Sequence, residues 1–235
     1  MATQDKKYWH LHNHRLFNQL NDEEINGLCI ISRYREANKG EMIFFTGESS
    51  NRIFILKRGV VKIMQTDANG NEVVKDVLHE HDLFGHIPGT GSGSSYQDEY
   101  ALAASETVSI CTFLKDDFEK VLSQNPQVSL RFATHIGDKM RTLEQKYNSL
   151  IFKDVRTRLL EFLVRYVREF NEPGREPHKA PNHLTQEDIS QLIGSSRQSV
   201  ATLLNELQKE GTLDYSRKLI SLKPEIFQQM LKTVG

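Results

Sequence analysis

The sequence predicts an α+β protein in which an N-terminal double-stranded β-helix, or jelly roll, precedes a long helix and a C-terminal winged helix-turn-helix. Three observations predict this order. Apolar residues recur at every second position between residues 40 and 115, as in β-strands. They recur every three or four positions between residues 128 and 150, as on one face of a helix. Two short amphipathic segments separated by a glycine follow within residues 184–211.

Composition and charge indicate a globular protein. Of the 235 residues, 38% are hydrophobic and 26% are charged, which is ordinary for a globular chain. No run of about 18 apolar residues is present, and the opening MATQDKKYWH has no apolar leader segment, so we expect a cytoplasmic protein. The two cysteines, Cys29 and Cys111, lie far apart among apolar neighbours, and we expect both to be reduced and buried.

The strand-rich region is punctuated by glycines. Gly47, Gly59 and the Asn69-Gly70 pair separate its apolar runs, and an Asn-Gly pair between strands is a strong hairpin signal. Many short antiparallel strands joined by such turns predict a barrel or a double-sheet jelly roll. The apolar pairs two residues apart, typical of half-buried strands, are Ile43 and Phe45, Ile53 and Ile55, and Val61 and Ile63.

A heptad pattern marks the long helix that follows. Its apolar residues are spaced by four, three, four and three positions, as in two helices that pack side by side. We therefore expect a dimer interface on this face, although a single helix lying on its own domain would also need an apolar face. The predicted interface residues, hereafter the α4 stripe, are Ile136, Met140, Leu143, Tyr147 and Leu150.

The segment LTQEDISQLIGSSRQSVATLLNELQKEG carries the clearest functional signal. Thr185 and Asp188 have the spacing of a capping box, and Ser196 is a suitable N-cap for a second helix. Gly194 permits a tight turn between the two helices, and the small side chain of Ser190 allows them to cross closely. These features together predict a helix-turn-helix, in which the start of the second helix enters the major groove of DNA.

The polar residues at the start of this second helix can read bases and phosphates. Arginine can bind the O6 and N7 atoms of guanine, and glutamine can bind the N6 and N7 atoms of adenine. A basic tip on the following two-strand wing adds phosphate contacts. The whole chain has a net charge of −1, so the case for nucleic acid rests on this module and not on overall charge. The predicted DNA-binding residues are Ser196, Arg197, Gln198, Ser199, Thr202, Arg217 and Lys218.

With these motifs, the chain resembles the CRP/FNR family of bacterial transcription regulators. KGEMIFFTGESSNRIFILKRGVVKI resembles the family's cyclic-nucleotide-binding fold, and NPQVSLRFATHIGDKM resembles the start of its dimerising helix. The resemblance implies a sensor domain over residues 1–124, a dimerisation helix over 125–151 and a winged helix-turn-helix over 152–235. It implies a homodimer that binds a pseudo-palindromic operator in double-stranded DNA, and it leaves RNA polymerase open as a further partner. Gln198 and Thr202 stand where well-known relatives have glutamate and arginine, so the site preference should differ.

The predicted effector pocket departs from the family pattern. Members that bind cyclic nucleotides carry Gly-Glu at the start of a loop, which here reads Gly85-His86. They carry Arg-Ser at the strand after the loop, which here reads Asp98-Glu99. Alignment of the long helix also places Leu143 where the cyclic-AMP receptor uses a hydroxyl on the base.

The change from arginine to aspartate reverses a charge interaction with phosphate. At 4 Å and an effective dielectric near 20, that interaction is worth roughly 4 kcal/mol in either direction. The residues therefore predict that cyclic AMP is not bound in the family's usual mode. The effector stays unidentified, and the sequence requires no cofactor.

Histidines near the predicted sensor domain leave metal or haem open as alternatives. His10, His12 and His14 alternate, and alternate side chains would converge on a metal if this segment were extended. A second group comprises His79, His81 and His86. No Cys/His spacing is diagnostic, so we expect solvated or turn histidines and no metal site.

A second class of function is a small-molecule sensor that acts mainly through protein contacts, with a vestigial DNA-binding domain. The intact helix-turn-helix pattern argues against it. We do not expect an enzyme, because no nucleophile–base arrangement or paired carboxylates emerge from the residues.

Overall fold

The structure is a computed structural model that describes residues 2–45, 51–67, 69–85, 99–170, 176 and 178–234. The chain folds into two compact units, Met1–Glu72 with Asp76–Thr142, and Val73–Lys75 with Leu143–Gly235. Among the helices in the described residues, none combines the length and the hydropathy needed to cross a membrane.

Two antiparallel sheets form the N-terminal part of the chain and confirm the predicted jelly roll. Within the described residues one sheet has the order β1-β8-β3-β6 and the other β2-β7-β4-β5. The elements in chain order are α1 (Ala2–Asn13), α2 (Asp22–Ile31), β1 (Arg33–Asn38), β2 (Met42–Phe45), β3 (Arg52–Arg58), β4 (Val61–Thr66), β5 (Glu72–Leu78), β6 (Leu83–Gly85), β7 (Glu99–Ala103), β8 (Thr107–Leu114) and α3 (Lys115–Gln124).

Strand β3 is buried on both faces, which differs from the half-buried strand that its period-two pattern predicted. Phe54 and Leu56 face the core between the two sheets. Ile53 and Ile55 face a second core, which helices α1, α2 and α3 close with residues such as Leu11 and Phe118. Because helices cover the outer face of this sheet, both sets of alternating side chains leave water. The two predicted thiols, Cys29 and Cys111, are free and buried in this second core.

Helix α4 (Pro126–Phe152) is a single helix of 27 residues, close to the predicted helix over 128–150. Its residues up to Thr142 belong to the N-terminal unit, and those from Leu143 belong to the C-terminal unit. The change of unit therefore falls inside a regular helix and not in a loop.

The C-terminal unit is a winged helix-turn-helix, as predicted. A three-stranded antiparallel sheet with the order β10-β11-β9 packs with its helices. Buried residues from α5, α7 and α8, such as Leu163, Leu204 and Phe227, belong to its apolar interior. The elements are α5 (Val155–Arg168), β9 (Lys179–Pro181), α6 (Gln186–Leu192), α7 (Arg197–Lys209), β10 (Leu213–Tyr215), β11 (Leu219–Leu222) and α8 (Pro224–Val234).

Candidate nucleic-acid interface and effector region

Helix α6 begins with the predicted capping box. The Thr185 hydroxyl oxygen accepts a hydrogen bond from the Asp188 backbone N–H at 3.1 Å, and the Asp188 carboxylate accepts one from the Thr185 N–H at 2.8 Å. Ser190 is buried, and its hydroxyl donates to the Glu187 carbonyl at 2.8 Å. Its small side chain is therefore satisfied within its own helix, and helix α7 can cross close to it.

Gly194 forms the turn between α6 and α7. Its φ of +64° lies in the left-handed region that favours glycine. A Cβ atom at this position would lie 2.8 Å from Leu150 Cδ2, so the turn is also close to the end of helix α4. The backbone conformation and this close approach both require glycine here.

Helix α7 presents a polar face to solvent. Its N-cap Ser196 accepts a hydrogen bond from the Ser199 N–H at 3.1 Å, and the two hydroxyl groups lie 2.8 Å apart. At about 100° per residue, the exposed side chains of Gln198 and Thr202 lie opposite the buried leucines, and the exposed Arg197 lies at the edge of the buried face in the first turn. The buried face consists of Val200, Leu204 and Leu207, with Leu203 half-buried. The structure thus exposes all three long or polar base-reading candidates at the start of α7 and gives the Ser199 hydroxyl a role inside the cap.

The wing tip carries the two remaining predicted residues. Strands β10 and β11 pair antiparallel, with Leu213 opposite Leu222. The Asn182 side-chain amide donates to the Ser216 carbonyl at 2.7 Å and holds the tip. Arg217 and Lys218 are exposed there.

The predicted DNA-contacting cations are available for phosphate. Within the part of the chain that the structure describes, Arg197, Arg217 and Lys218 have no ion-pair partner. Arg156, by contrast, lies on α5 and pairs with Glu206 and Glu210. Exposed cations that have no acidic partner can bind phosphate oxygens without first breaking an ion pair.

Four of the five predicted effector residues lie at or next to the ends of residues 86–98, a segment that the structure does not describe, and the fifth, Leu143, lies on α4. His86 and Asp98 lie outside the described residues, whereas Gly85 ends β6 and Glu99 begins β7. Gly85 has a φ of +88°, and a Cβ atom on it would lie 2.6 Å from the Arg52 carbonyl oxygen.

Glu99 is directed towards the interior of the jelly roll. Alternate residues of a strand share a face, and Glu99 shares one with Ala101 and Ala103, which line the core between the two sheets. Glu99 is half-buried. At this end of the roll the chain therefore presents a carboxylate where cyclic-nucleotide-binding relatives are expected to present a hydroxyl.

Comparison with known proteins matches both parts of this architecture. Residues 34–125 match the cyclic nucleotide-binding domain, and residues 157–230 match the Crp-like helix-turn-helix domain. The chain belongs to the CRP/FNR family. As a CRP-like transcription regulator, it pairs a cyclic-nucleotide-binding-type domain with a DNA-binding helix-turn-helix domain, and family members of this kind bind DNA and are typically dimeric.

Three similar proteins illustrate the family resemblance. The global nitrogen regulator of Synechocystis is 25% identical, over 79% of this chain and 82% of that protein. The CRP-like cAMP-activated global transcriptional regulator of Mycobacterium tuberculosis is 24% identical, over 77% and 80%. The structure of a mutant CooA from Carboxydothermus hydrogenoformans superposes with a TM-score of 0.70 at 25% identity, and covers 96% of this chain and 98% of that one.

In this CRP/FNR chain the α4 stripe is largely exposed. Within the single chain, Met140 is 67% exposed, Leu143 62%, Tyr147 64% and Leu150 49%, while Ile136 is half-buried. A helix that used this face to cover its own domain would have buried these side chains, so the structure does not favour that alternative for the stripe.

The histidines that the structure describes do not form the arrangement that a metal would need. Residues 2–13 are helical and not extended, as the metal alternative would have required, and His10 and His12 are about 200° apart around α1. Within the described residues, no group of three His, Cys, Asp or Glu side chains has a geometry suited to a metal ion.

His14 is a structural histidine at the end of this segment. It is 3% exposed, its Nδ1 accepts from the Leu16 N–H at 3.2 Å, and its Nε2 lies 3.3 Å from the His81 carbonyl oxygen. Both ring nitrogens are thus used by the neutral form, and burial lowers the pKa of His14 to about 3. His81 is a turn residue with a φ of +73°.

Proposed function

We propose that this chain acts as a homodimer that reads a pseudo-palindromic DNA operator with the start of helix α7. The observation that supports this most strongly is the exposed polar surface of α7, with Arg197, Gln198 and Thr202, together with an exposed basic wing tip. In a winged helix-turn-helix, this face would meet base edges while the wing meets the backbone. The proposal gives every predicted DNA-binding residue a direct contact except Ser196 and Ser199, whose hydroxyl groups are bonded to each other in the helix cap.

The α4 stripe supports the homodimer. Four large apolar side chains on one face of a helix leave a hydrophobic strip in water, which is costly at about 25 cal/mol for each Å². The same strip on a second copy of the helix can cover it in a two-fold symmetric pair. The heptad spacing suits such a pair. Two-fold symmetry would also account for a pseudo-palindromic operator, with half-sites about one helical turn apart.

The sensor domain is proposed to respond to something other than cyclic AMP held in the family's usual mode. The relative from Mycobacterium tuberculosis is described as cAMP-activated. In this chain, however, Glu99 directs a carboxylate towards the interior of the roll, and Asp98 replaces the arginine that neutralises phosphate. Two carboxylates beside a cyclic phosphate repel it, because each like-charge pair costs energy where the relatives gain it.

The test combines operator selection with a binding assay for the effector. Selection of duplexes from a random pool should enrich a two-fold symmetric sequence, and its affinity should fall steeply with salt. Enrichment of no sequence, or binding by a monomer in sedimentation experiments, would count against the proposal.

Calorimetry addresses the effector directly. With cyclic AMP or cyclic GMP we expect no binding tighter than about 1 mM, which corresponds to roughly −4 kcal/mol. Micromolar binding of either nucleotide would contradict the assignment of Asp98 and Glu99 as repulsive groups.

A further inference from the structure

One guanidinium group joins two helix ends in the C-terminal unit. Arg158 lies in the first turn of α5. Its Nε donates to the Ile193 carbonyl at 3.0 Å, and its Nη2 donates to the Gly194 carbonyl at 3.1 Å. Its Nη1 donates to the Lys153 carbonyl at 2.9 Å. All three acceptors are backbone oxygens, so the contacts depend on where the backbone lies and not on neighbouring side chains.

These acceptors lie at places where a cation is favoured. Lys153 directly follows helix α4, and Ile193 and Gly194 directly follow helix α6. The last carbonyls of a helix lack partners within the helix and carry the negative end of its dipole. Arginine suits both ends at once because its donors are held in a fixed planar fork, which a lysine ammonium does not provide.

The same face of α5 holds the end of α4 through a second residue. Glu161 is 2% exposed, and its carboxylate accepts from the Ser149 hydroxyl at 2.9 Å and pairs with the Lys153 ammonium. A buried carboxylate with two donors, both from the end of α4, fixes that helix end against α5. Arg158 then extends the connection from this helix end to the turn of the helix-turn-helix.

We propose that Arg158 is a positioning residue that fixes the DNA-reading turn to the end of helix α4, and so sets the separation of the two α7 helices in the dimer. This inference rests on the proposed function, because the separation matters only when two copies bind one operator. The physical reason is that α4 would be the shared axis of the dimer. Any rotation of the turn about the end of α4 therefore changes the spacing between the two recognition helices.

Replacement of Arg158 should affect two binding properties differently: affinity for a single half-site, and discrimination between operators with different spacings of their half-sites. The base-reading face of α7 is formed without Arg158, so contacts within a half-site should persist when Arg158 is replaced. The hydrogen bonds from the turn to the end of α4 through Arg158 should be lost. The Leu150 contact, the bonds of Glu161 to Ser149 and Lys153, and the short connection through Asp154 between α4 and α5 should remain. A less constrained turn can adapt to an operator with a different spacing. It binds the operator with the preferred spacing more weakly, because the turn is no longer held in the required position before binding.

The experiment compares full-length wild type, Arg158→Gln and Arg158→Lys on the selected operator and on operators with one base pair added or removed between half-sites. Arg158→Gln should bind the best operator about tenfold more weakly, while its preference for that spacing should fall by about the same factor. Affinity for a single half-site should change by less than about threefold. Arg158→Lys keeps the charge but not the fork, and should be intermediate. The matched control is Arg168→Gln, which removes the same charge from an exposed position on the same helix.

Hydrogen exchange tests the inference without DNA. The Lys153 and Ser195 amides are bonded to the Ser149 and Ser190 carbonyls, at 3.1 and 2.9 Å, and report on the two ends that Arg158 joins. Both amides should exchange faster in Arg158→Gln than in wild type, while the amide of Leu204 should not change.

The outcomes distinguish this inference from the proposed function. An unaltered spacing preference in a folded Arg158→Gln, or unaltered exchange at either amide, would overturn the inference while leaving operator binding intact. If the glutamine variant does not fold, Arg158→Lys decides by the same two criteria. If wild type selects no operator, the proposed function fails, and faster exchange at both amides would still support the tie between the helix ends.

Discussion

The Cδ2 atom of Leu150 lies 2.8 Å from the position that a Cβ atom would occupy on Gly194. The first residue ends the stripe of helix α4, and the second forms the turn before helix α7. The turn of the DNA-binding motif therefore touches the same helix that carries the proposed dimer interface, within one compact unit.

Replacement of Gly194 by alanine should destabilise the C-terminal unit. The left-handed conformation costs about 1–2 kcal/mol for a residue with a Cβ atom, and the clash with Leu150 adds to it. In urea unfolding, Leu150→Ala should relieve only the second contribution, so the double variant should be more stable than the sum of the single changes predicts. Gly137→Ala is the control, because it lies inside α4 with open space around it and should be neutral or stabilising. Equal effects of the two glycine replacements would contradict this account.

Replacement of Arg197 by alanine should weaken binding to the selected operator by about 1–3 kcal/mol and binding to random DNA by much less. The reason is that an arginine at a base edge contributes to discrimination, whereas a phosphate contact contributes to every sequence alike. Competition binding at one fixed salt concentration measures both losses. Lys209→Ala removes a cation at the other end of the same helix and should affect the two DNAs little and equally. Equal losses for Arg197→Ala on both DNAs would remove its base-reading role.

Replacement of Leu143 by glutamate should dissociate the dimer. Each copy would lose the burial of a leucine, worth about 1.5–3 kcal/mol, and two-fold symmetry doubles the loss. The dimer dissociation constant in analytical ultracentrifugation should therefore rise at least about a hundredfold. Asn148→Glu introduces the same charge at an exposed position about 120° around the helix from the centre of the stripe, and should leave the dissociation constant within a few-fold. A Leu143→Glu protein that remains dimeric would show that the stripe is not the interface.

The N-terminal unit should lose stability as the pH falls below about 6.5. Burial depresses the pKa of His14 from 6.5 to about 3, so its contribution is fully present above pH 6.5 and is lost progressively towards pH 3. Between pH 6.5 and 5 the loss from this group alone should be about 2 kcal/mol. Arg15, His81 and His135 surround it, and the pKa values of both histidines are lowered mainly by burial, so they add to the same trend.

Urea unfolding at pH 7 and pH 5 measures this dependence. His14→Gln cannot titrate and should show a smaller loss over the interval than wild type. An identical loss in both proteins would assign the acid sensitivity to other groups.

The DNA-binding module was predictable because its signals are local. Thr185 with Asp188, Ser196 and Gly194 each act on backbone within a few residues, so their spacing in the sequence already specifies the two helices and the turn. Strand β3 was harder, because the second apolar face of Ile53 and Ile55 is covered by helices distant in sequence. The alternation of His10 and His12 was misleading, since it gives no information on whether the backbone is extended or helical.

Arg158 could not be found from the sequence at all. Its acceptors are backbone carbonyls, and every residue has one, so the contact leaves no residue type or spacing to detect. Only the fold brings the ends of α4 and α6 to one guanidinium. The effector residues remain a prediction from the family pattern: the structure shows Gly85 at the end of β6 and Glu99 at the start of β7, while His86 and Asp98 lie outside the described residues.

The unbroken course of α4 across the boundary near residues 142 and 143 limits how its halves can be recombined with those of other regulators. In a chimaera joined inside this helix, the number of residues at the junction sets the rotation of one half of the helix relative to the other about the helix axis. Insertion of seven residues at the junction would turn the downstream half by only about 20° relative to the upstream half, whereas insertion of two would turn it by about 200°. Functional hybrids with a new sensor should accordingly be recovered in steps of whole heptads.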